Sequence, residues 1–295
     1  MRLKYWLGNN FGDALNPIIF NKFLPDFFDN DPAADFFGIG SIIGFPMVRS
    51  AKKKIIFSSG FAYNTVPAVD NSYDIICVRG PETAKVLGIS NKLAVTDGAA
   101  LLREFEFGNH VKKYDFSFMP HWESEENYCW NKICMEAGIH YISPLNEPFK
   151  IIEDILCSKI VIAEAMHFAI VADTLRVPWI PVKAYPIIND FKWRDWTKSL
   201  DINYDPIQIN SLYTEHEKYR TFINWKTKNL LPTLVSTALA KAQLRYQEHF
   251  LKPATVNQLI NLKQQAPYLS TDYILNEKVD TLLEKLHFFK AKYSV

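Results

Sequence analysis

Apolar residues in this chain come in short runs, each closed by a small or polar turn. The clearest case is Ile160-Val-Ile-Ala163, a run of four stopped by Glu164. So short a run suits a strand covered on both faces. Met166, Ala169 and Ile170 then recur at helical spacing, which predicts a helix from Ala165 to Leu175 and a second buried strand from Pro178. Near the start, Leu3, Tyr5 and Leu7 alternate with Arg2, Lys4 and Trp6, as in a strand. A loop, Gly8 to Asp13, and a helix to about Leu24 follow. Asn16-Pro17 reads as a cap and first position within it. Further strands are predicted at Ala34–Ile39, Lys54–Phe57, Asp74–Val78 and Leu93–Val95, with a helix to Leu87 after the fourth strand. That alternation describes a parallel, doubly wound sheet.

Arg103 to Lys113 is charged and lacks apolar periodicity, so it reads as a linker. Beyond it come a strand at Tyr114–Met119, a helix at Glu125–Ala137, a strand at Ile139–Ile142, a helix at Pro148–Cys157 and the unit around Ile160. The predicted fold class is α/β: two Rossmann-like lobes with parallel sheets, residues 1–108 and 109–204, in an arrangement similar to glycosyltransferase-B enzymes. Residues 205–295 are predicted as a helical appendix. Val235, Ala238, Leu239, Ala242, Tyr246 and Phe250 mark one amphipathic helix in it. Leu275, Val279, Leu282, Leu283, Leu286 and Phe289 mark another. Packing of these helices on the lobes, or on a second subunit of a homo-oligomer, are both open.

Composition narrows the classes. Of 295 residues 48% are hydrophobic, enough for a large core, and 33 basic against 32 acidic residues give no pull toward nucleic acid. Cys129 and Cys134 have no second ligand pair at zinc spacing. The four cysteines, with Cys77 and Cys157, therefore read as reduced thiols of a cytosolic protein, and no metal is expected. No apolar run approaches the roughly 18 residues of a membrane span. The opening Met1-Arg-Leu-Lys-Tyr-Trp-Leu-Gly8 does not read as a signal peptide.

The turns carry the chemistry. They are Asn10-Phe-Gly-Asp13 with Leu15-Asn-Pro17, Gly38-Ile-Gly-Ser41, Ser58-Ser-Gly60, Val78-Arg-Gly-Pro-Glu-Thr83, Val95-Thr-Asp97, Met119-Pro-His121 and Glu164-Ala-Met-His167. In this order they resemble the polysaccharide pyruvyl transferase family over roughly residues 1–200. Arg79-Gly-Pro-x-Thr followed by Asp97 looks most like members that decorate exopolysaccharides such as succinoglycan and xanthan. The resemblance implies transfer of pyruvate from phosphoenolpyruvate, the donor substrate, onto two hydroxyls of one sugar, with no cofactor. The acceptor would be a lipid-linked or nucleotide-linked saccharide, met in the cytoplasm at the inner face of the membrane, with peripheral membrane association open. It also implies site roles for Asn10, Gly12, Asp13, Gly40, Ser41, Ser59, Gly60, Asp97 and Glu164. One departure stands out: many members have Ser-x-Arg-x-His, whereas Ala163 and Ala165 occupy the serine and arginine places before His167. Lys183, Lys192 and Arg194 are the nearby cations that could replace that arginine.

Phosphoenolpyruvate needs cationic donors, and arginine offers a bidentate fork. Arg79, at a strand-to-helix turn, is the first candidate, alongside helix amides; a plain surface pair with Glu82 is the competing reading. Proton transfer to the enol and from the sugar suits histidine, whose ordinary pKa is about 6.5. His167 is the first choice and His121 the second. Asp13 reads equally as an N-cap, and Asp97 as a turn former. His121 and Glu123 with Trp122 could line a sugar pocket. A nucleotide-sugar glycosyltransferase and a non-catalytic scaffold are the alternative functions.

Overall fold

The computed structural model describes residues 1–8 and 10–294; Asn9, inside the loop predicted from Gly8, and Val295 lie outside the described residues. The first lobe holds β1 (Arg2–Lys4), β2 (Asp35–Phe37), β3 (Lys54–Phe57) and β4 (Tyr73–Cys77), in the spatial order β1-β2-β3-β4. Its helices are α1 (Phe11–Phe23), α2 (Pro46–Arg49) and α3 (Pro81–Leu87). The second lobe holds β5 (Tyr114–Met119), β6 (His140–Tyr141), β7 (Ser158–Ala163), β8 (Trp179–Lys183) and β9 (Ile207–Gln208), in the order β6-β5-β7-β8-β9. Its helices are α4 (Trp122–Asn127), α5 (Asn131–Glu136), α6 (Pro148–Leu156), α7 (Met166–Thr174) and α8 (Asp190–Ser199). Every strand pairing within the two sheets is parallel. Phe36, Phe37, Ile55, Ile56, Val161 and Ile162 are fully buried, which is why these strands read as unbroken apolar runs.

Several element boundaries differ from those predicted. β1 stops at Lys4, and Leu7 is left exposed. α1 begins at Phe11, capped by Asn10, whose side chain accepts from the Gly12 amide at 3.0 Å. Asn16-Pro17 therefore lies inside the helix. Buried Asn16 uses its side chain to tie α1 to the end of β2, donating to the Ile39 carbonyl and accepting from the Ile39 amide at 2.8 Å. The predicted fifth strand reduces to a 3-10 turn, Asn91–Leu93, and one parallel bridge between Val78 and Ala94. The helix predicted over Glu125–Ala137 is two helices. The chain breaks between them to bury Tyr128 and Trp130 in the lobe core.

The lobes share one apolar core, in which Leu15 and Ile19 of α1 join Ala163, Phe168 and Trp196. α7 lies against α1 and against the 3-10 helix Gly98–Glu104 of the first lobe. α8 leaves the second lobe and packs on α3.

The C-terminal segment contains α9 (His216–Lys226), α10 (Thr233–Tyr246), α11 (Lys252–Leu262) and α12 (Asp272–Tyr293). α12 buries Leu275, Val279, Leu282, Leu286 and Phe289, and its end returns to β4, where Lys292 pairs with Asp74 at 2.7 Å. α10 behaves differently. It packs on α9 and buries only Ser236 and Ala240, while Val235, Leu239 and Tyr246 of its apolar stripe face solvent.

Candidate active site

In the second sheet the chain leaves β5 toward β6 on one side, while β7 flanks β5 on the other. This topological switch point puts a crevice outside the carboxyl ends of β5 and β7, where open α/β sheets take ligands. The loops after β5 and β7 face the loops after β1 and β2 of the first lobe. Between them lies a cavity of about 480 Å³. Of the sequence candidates, Asn10, Gly12, Asp13, Gly40, Ser41, His121, Glu123 and His167 line it. So do Trp6, Phe45 and Tyr63, which the sequence reading did not single out.

His167 sits in the first turn of α7 with its ring against the backbone of Gly12. A Cβ on Gly12 would overlap the imidazole, so the close approach requires glycine. On the other side, His167 Nε2 lies 3.6 Å from Oδ2 of fully buried Asp97. The other Asp97 oxygen accepts from the Ala99 amide at 3.0 Å, which fixes the carboxylate at the start of the 3-10 helix. Burial pushes the Asp97 carboxyl up, but His167, Arg79 and the Ala99 amide outweigh it and hold the group below the usual carboxylate value. Asp13 shows the reverse balance. Burial pushes it up to about 6 against the opposing pull of His167, the Trp6 backbone and Lys192. Asp13 Oδ1, Asp97 Oδ2 and His167 Nε2 are buried with no hydrogen-bond partner among the described residues. Gly40, at φ +131°, carries the chain past Asp13 in a region of backbone space that favours glycine.

Glu164 does not reach the cavity. It is fully buried and braces the walls, accepting from the His121 amide at 3.0 Å and the Ala184 amide at 2.8 Å. Its pKa is raised by burial. His121 has its Nδ1 3.4 Å from Glu123. Burial, then the charges of Lys192 and His167, hold its pKa well below the ordinary histidine value, so it stands neutral in the cavity wall.

Arg79 also lies behind the wall. Its Nε donates to Asp195 Oδ2 at 3.0 Å, Nη1 to Ser41 Oγ at 2.6 Å, and Nη2 to the Phe61 carbonyl at 3.4 Å; both members of the ion pair are fully buried. Asp195 accepts in addition from the amide and hydroxyl of Thr83, joining α8 to the start of α3. Among the described residues the guanidinium therefore contacts the cavity only through Ser41, where direct contact with the donor was expected. The surface pair with Glu82 is not formed either, since Glu82 pairs with Lys198. Gly60 lies so close to the guanidinium that a Cβ would overlap it, and the Ser59 hydroxyl donates to the Phe37 and Gly38 carbonyls. Both residues support the site from outside the cavity.

Of the three cations weighed against the absent arginine, Lys183 pairs with Asp190 at 2.9 Å, off the cavity. Arg194 faces solvent, and Lys192 lines the cavity, mostly buried. Two helix starts, those of α1 and α7, also open there. Among the described residues no side chain caps α7; Phe168 and Ala169 donate to the Ala165 carbonyl, and Met166 and His167, ahead of them, line the space. The site thus combines a lysine, two helix N-termini and an imidazole flanked by two carboxylates. It can hold an anion and move a proton beside it. Among the described residues, no group of three or more His, Cys, Asp or Glu side chains converges as a metal site.

A family model described as polysaccharide pyruvyl transferase matches residues 2–184, from β1 through β8. The chain belongs to the polysaccharide pyruvyl transferase family. It is a pyruvyltransferase enzyme, and its interlobe cavity lies within the matched region except for the contribution of α8 and the segment leading to it. Over 214 residues this pyruvyl transferase is 37% identical to the succinoglycan biosynthesis protein ExoV of Rhizobium meliloti (strain 1021), covering 71% of this chain and 68% of that protein. No described helix of the pyruvyl transferase is long and apolar enough to cross a membrane.

Proposed function

We propose that this pyruvyl transferase takes pyruvate from phosphoenolpyruvate and closes it as a cyclic ketal on two hydroxyls of one sugar in an exopolysaccharide precursor, releasing phosphate. The observation that supports this most directly is the imidazole of His167, backed by Asp97 at 3.6 Å and opening on a cavity with one buried lysine and two helix N-termini. The likeness to ExoV, a succinoglycan biosynthesis protein, supports the acceptor class.

The donor's phosphate and carboxylate would sit against Lys192 and the start of α7. His167 delivers a proton to C3 of the enol. That leaves C2 electron-poor, and the first sugar hydroxyl adds to it. The C2–O bond to phosphate then breaks, with the electron pair leaving on phosphate, and the second hydroxyl adds to C2. Two hydroxyl protons are released: one is recovered in the methyl group through His167, and the other leaves with phosphate. Asp97, at 3.6 Å, holds the imidazole in orientation. Asp13, with a pKa of about 6, is suited to take the second hydroxyl proton near neutrality. His121 and Glu123 would hydrogen-bond the sugar, and Trp6, Phe45 and Tyr63 offer it apolar faces.

Thermal-shift titration tests the donor class, because a ligand bound only by the folded state raises the unfolding midpoint. Phosphoenolpyruvate is expected to raise it, and His167→Ala to abolish phosphate release from phosphoenolpyruvate with acceptor. A midpoint raised by nucleotide sugars and untouched by phosphoenolpyruvate would refute this reading in favour of a glycosyltransferase.

A further inference from the structure

The α9–α10 hairpin presents its apolar side outward. Trp225, Leu230, Leu234, Val235, Leu239 and Tyr246 are 65, 82, 86, 45, 48 and 51% exposed. Inward, α10 fully buries only Ser236 and Ala240, with Leu244 packed on the core of the second lobe. The hairpin's base is held to the second lobe by rings, with Tyr213 4.9 Å from Tyr219 and 6.1 Å from Phe222. Apolar exposure on this scale marks a surface that meets something other than water.

Charge decides what it meets. From Lys218 to Gln247 the sequence has Lys218, Arg220, Lys226, Lys228, Lys241 and Arg245 and no aspartate or glutamate, in a chain whose net charge is only +1. Lys226, Lys228, Lys241 and Arg245 are exposed beside the apolar stripe. Among the described residues the ion pairs of this region, His216 and Arg220 with Glu217 and Lys252 with Glu248, leave those four aside. A second copy docking face to face would bring the same excess of positive charge against itself. A surface that is both apolar beneath and negatively charged above relieves both features, and an anionic phospholipid bilayer is such a surface.

We propose that the α9–α10 hairpin lies on an anionic membrane surface, with Trp225, Leu230, Leu234 and Leu239 entering the headgroup–acyl boundary and the lysines contacting lipid phosphates. This holds the enzyme at the bilayer without a spanning helix, and it does not depend on the identity of the donor.

Co-sedimentation of the full chain with vesicles tests it, comparing phosphatidylcholine alone with a two-to-one mixture of phosphatidylcholine and phosphatidylglycerol. Binding is expected to the mixture only, and to weaken with added salt. Lys226→Glu with Lys228→Glu should weaken it by on the order of 30-fold or more, since each basic residue near such a surface contributes about 1 kcal/mol. Leu234→Ser with Leu239→Ser should also release the protein. These four side chains are solvent-exposed, so an unchanged unfolding midpoint separates loss of binding from loss of fold. Three outcomes overturn the proposal: no binding to either vesicle, equal binding to both, or a concentration-dependent dimer that the leucine substitutions abolish.

Discussion

Replacing Asp13 by Asn separates stability from catalysis at one atom. Asp13 is buried beside His167, and its pKa is raised from the ordinary 3.8 to about 6, chiefly by burial. A folded pKa above the unfolded one means that the native state binds more protons than the unfolded chain between those values. Native stability therefore falls as pH rises from about 4 to about 6, and stays lower above that. The gap between 3.8 and about 6 corresponds to about 3 kcal/mol at 1.36 kcal/mol per pH unit. Asparagine has nearly the same shape and no charge, so Asp13→Asn escapes this penalty. At pH 8 the variant should unfold at a temperature about 6 °C higher than the native chain, taking roughly 2 °C per kcal/mol for a chain of this size. At pH 4 the two midpoints should coincide. Activity should move the opposite way, with kcat falling by roughly 10² to 10⁴, because the amide cannot accept a proton from the acceptor hydroxyl. Thermal unfolding by circular dichroism at both pH values and a coupled phosphate-release assay read the two effects. A stability difference of the same size at pH 4 and pH 8 would refute the argument, because it would have nothing to do with ionisation.

Other substitutions probe the remaining parts of the site. Gly12→Ala should push the His167 ring off its seat and lower kcat by roughly 100-fold, the scale of a 1 Å misplacement, while calorimetry shows phosphoenolpyruvate still binding. Asp195→Ala should leave the Arg79 guanidinium buried without its carboxylate, costing about 3 to 5 kcal/mol and lowering the unfolding midpoint by roughly 6 to 10 °C; an unchanged midpoint would refute the buried pair. Lys192→Met should raise KM for phosphoenolpyruvate by roughly 10- to 100-fold and leave the acceptor KM alone, the loss of one charged hydrogen bond. Equal weakening of both substrates would remove the lysine from the donor subsite.

Much of this architecture is legible along the chain because it depends on neighbours in sequence. Runs such as Ile160–Ala163 mark strands buried on both faces, and the polar residue that ends each run falls at a strand's carboxyl end, where the sheet forms its crevice. His121 and His167 stand out as candidates by that position, while Asn10, Asp13 and Ser41 are candidates because their turns, in that order, resemble those of the family. Their convergence on one cavity, and what stands behind it, depended on the tertiary structure. The partner of Arg79 is Asp195, 116 residues later, and burial of that pair turned an expected anion-binding arginine into a support for Ser41. Lys183 and Lys192 look alike in sequence. The turn of α8 carries Lys192 into the cavity and Arg194 out to solvent, while Lys183 is neutralised by Asp190. The stripe on α10 is helical in spacing whichever surface it meets, so periodicity fixes the helix without fixing its neighbour. Local pattern thus determined the elements and the ends of the strands. Long-range packing decided which charges are free, because a charge is available for chemistry only where no distant residue has already satisfied it.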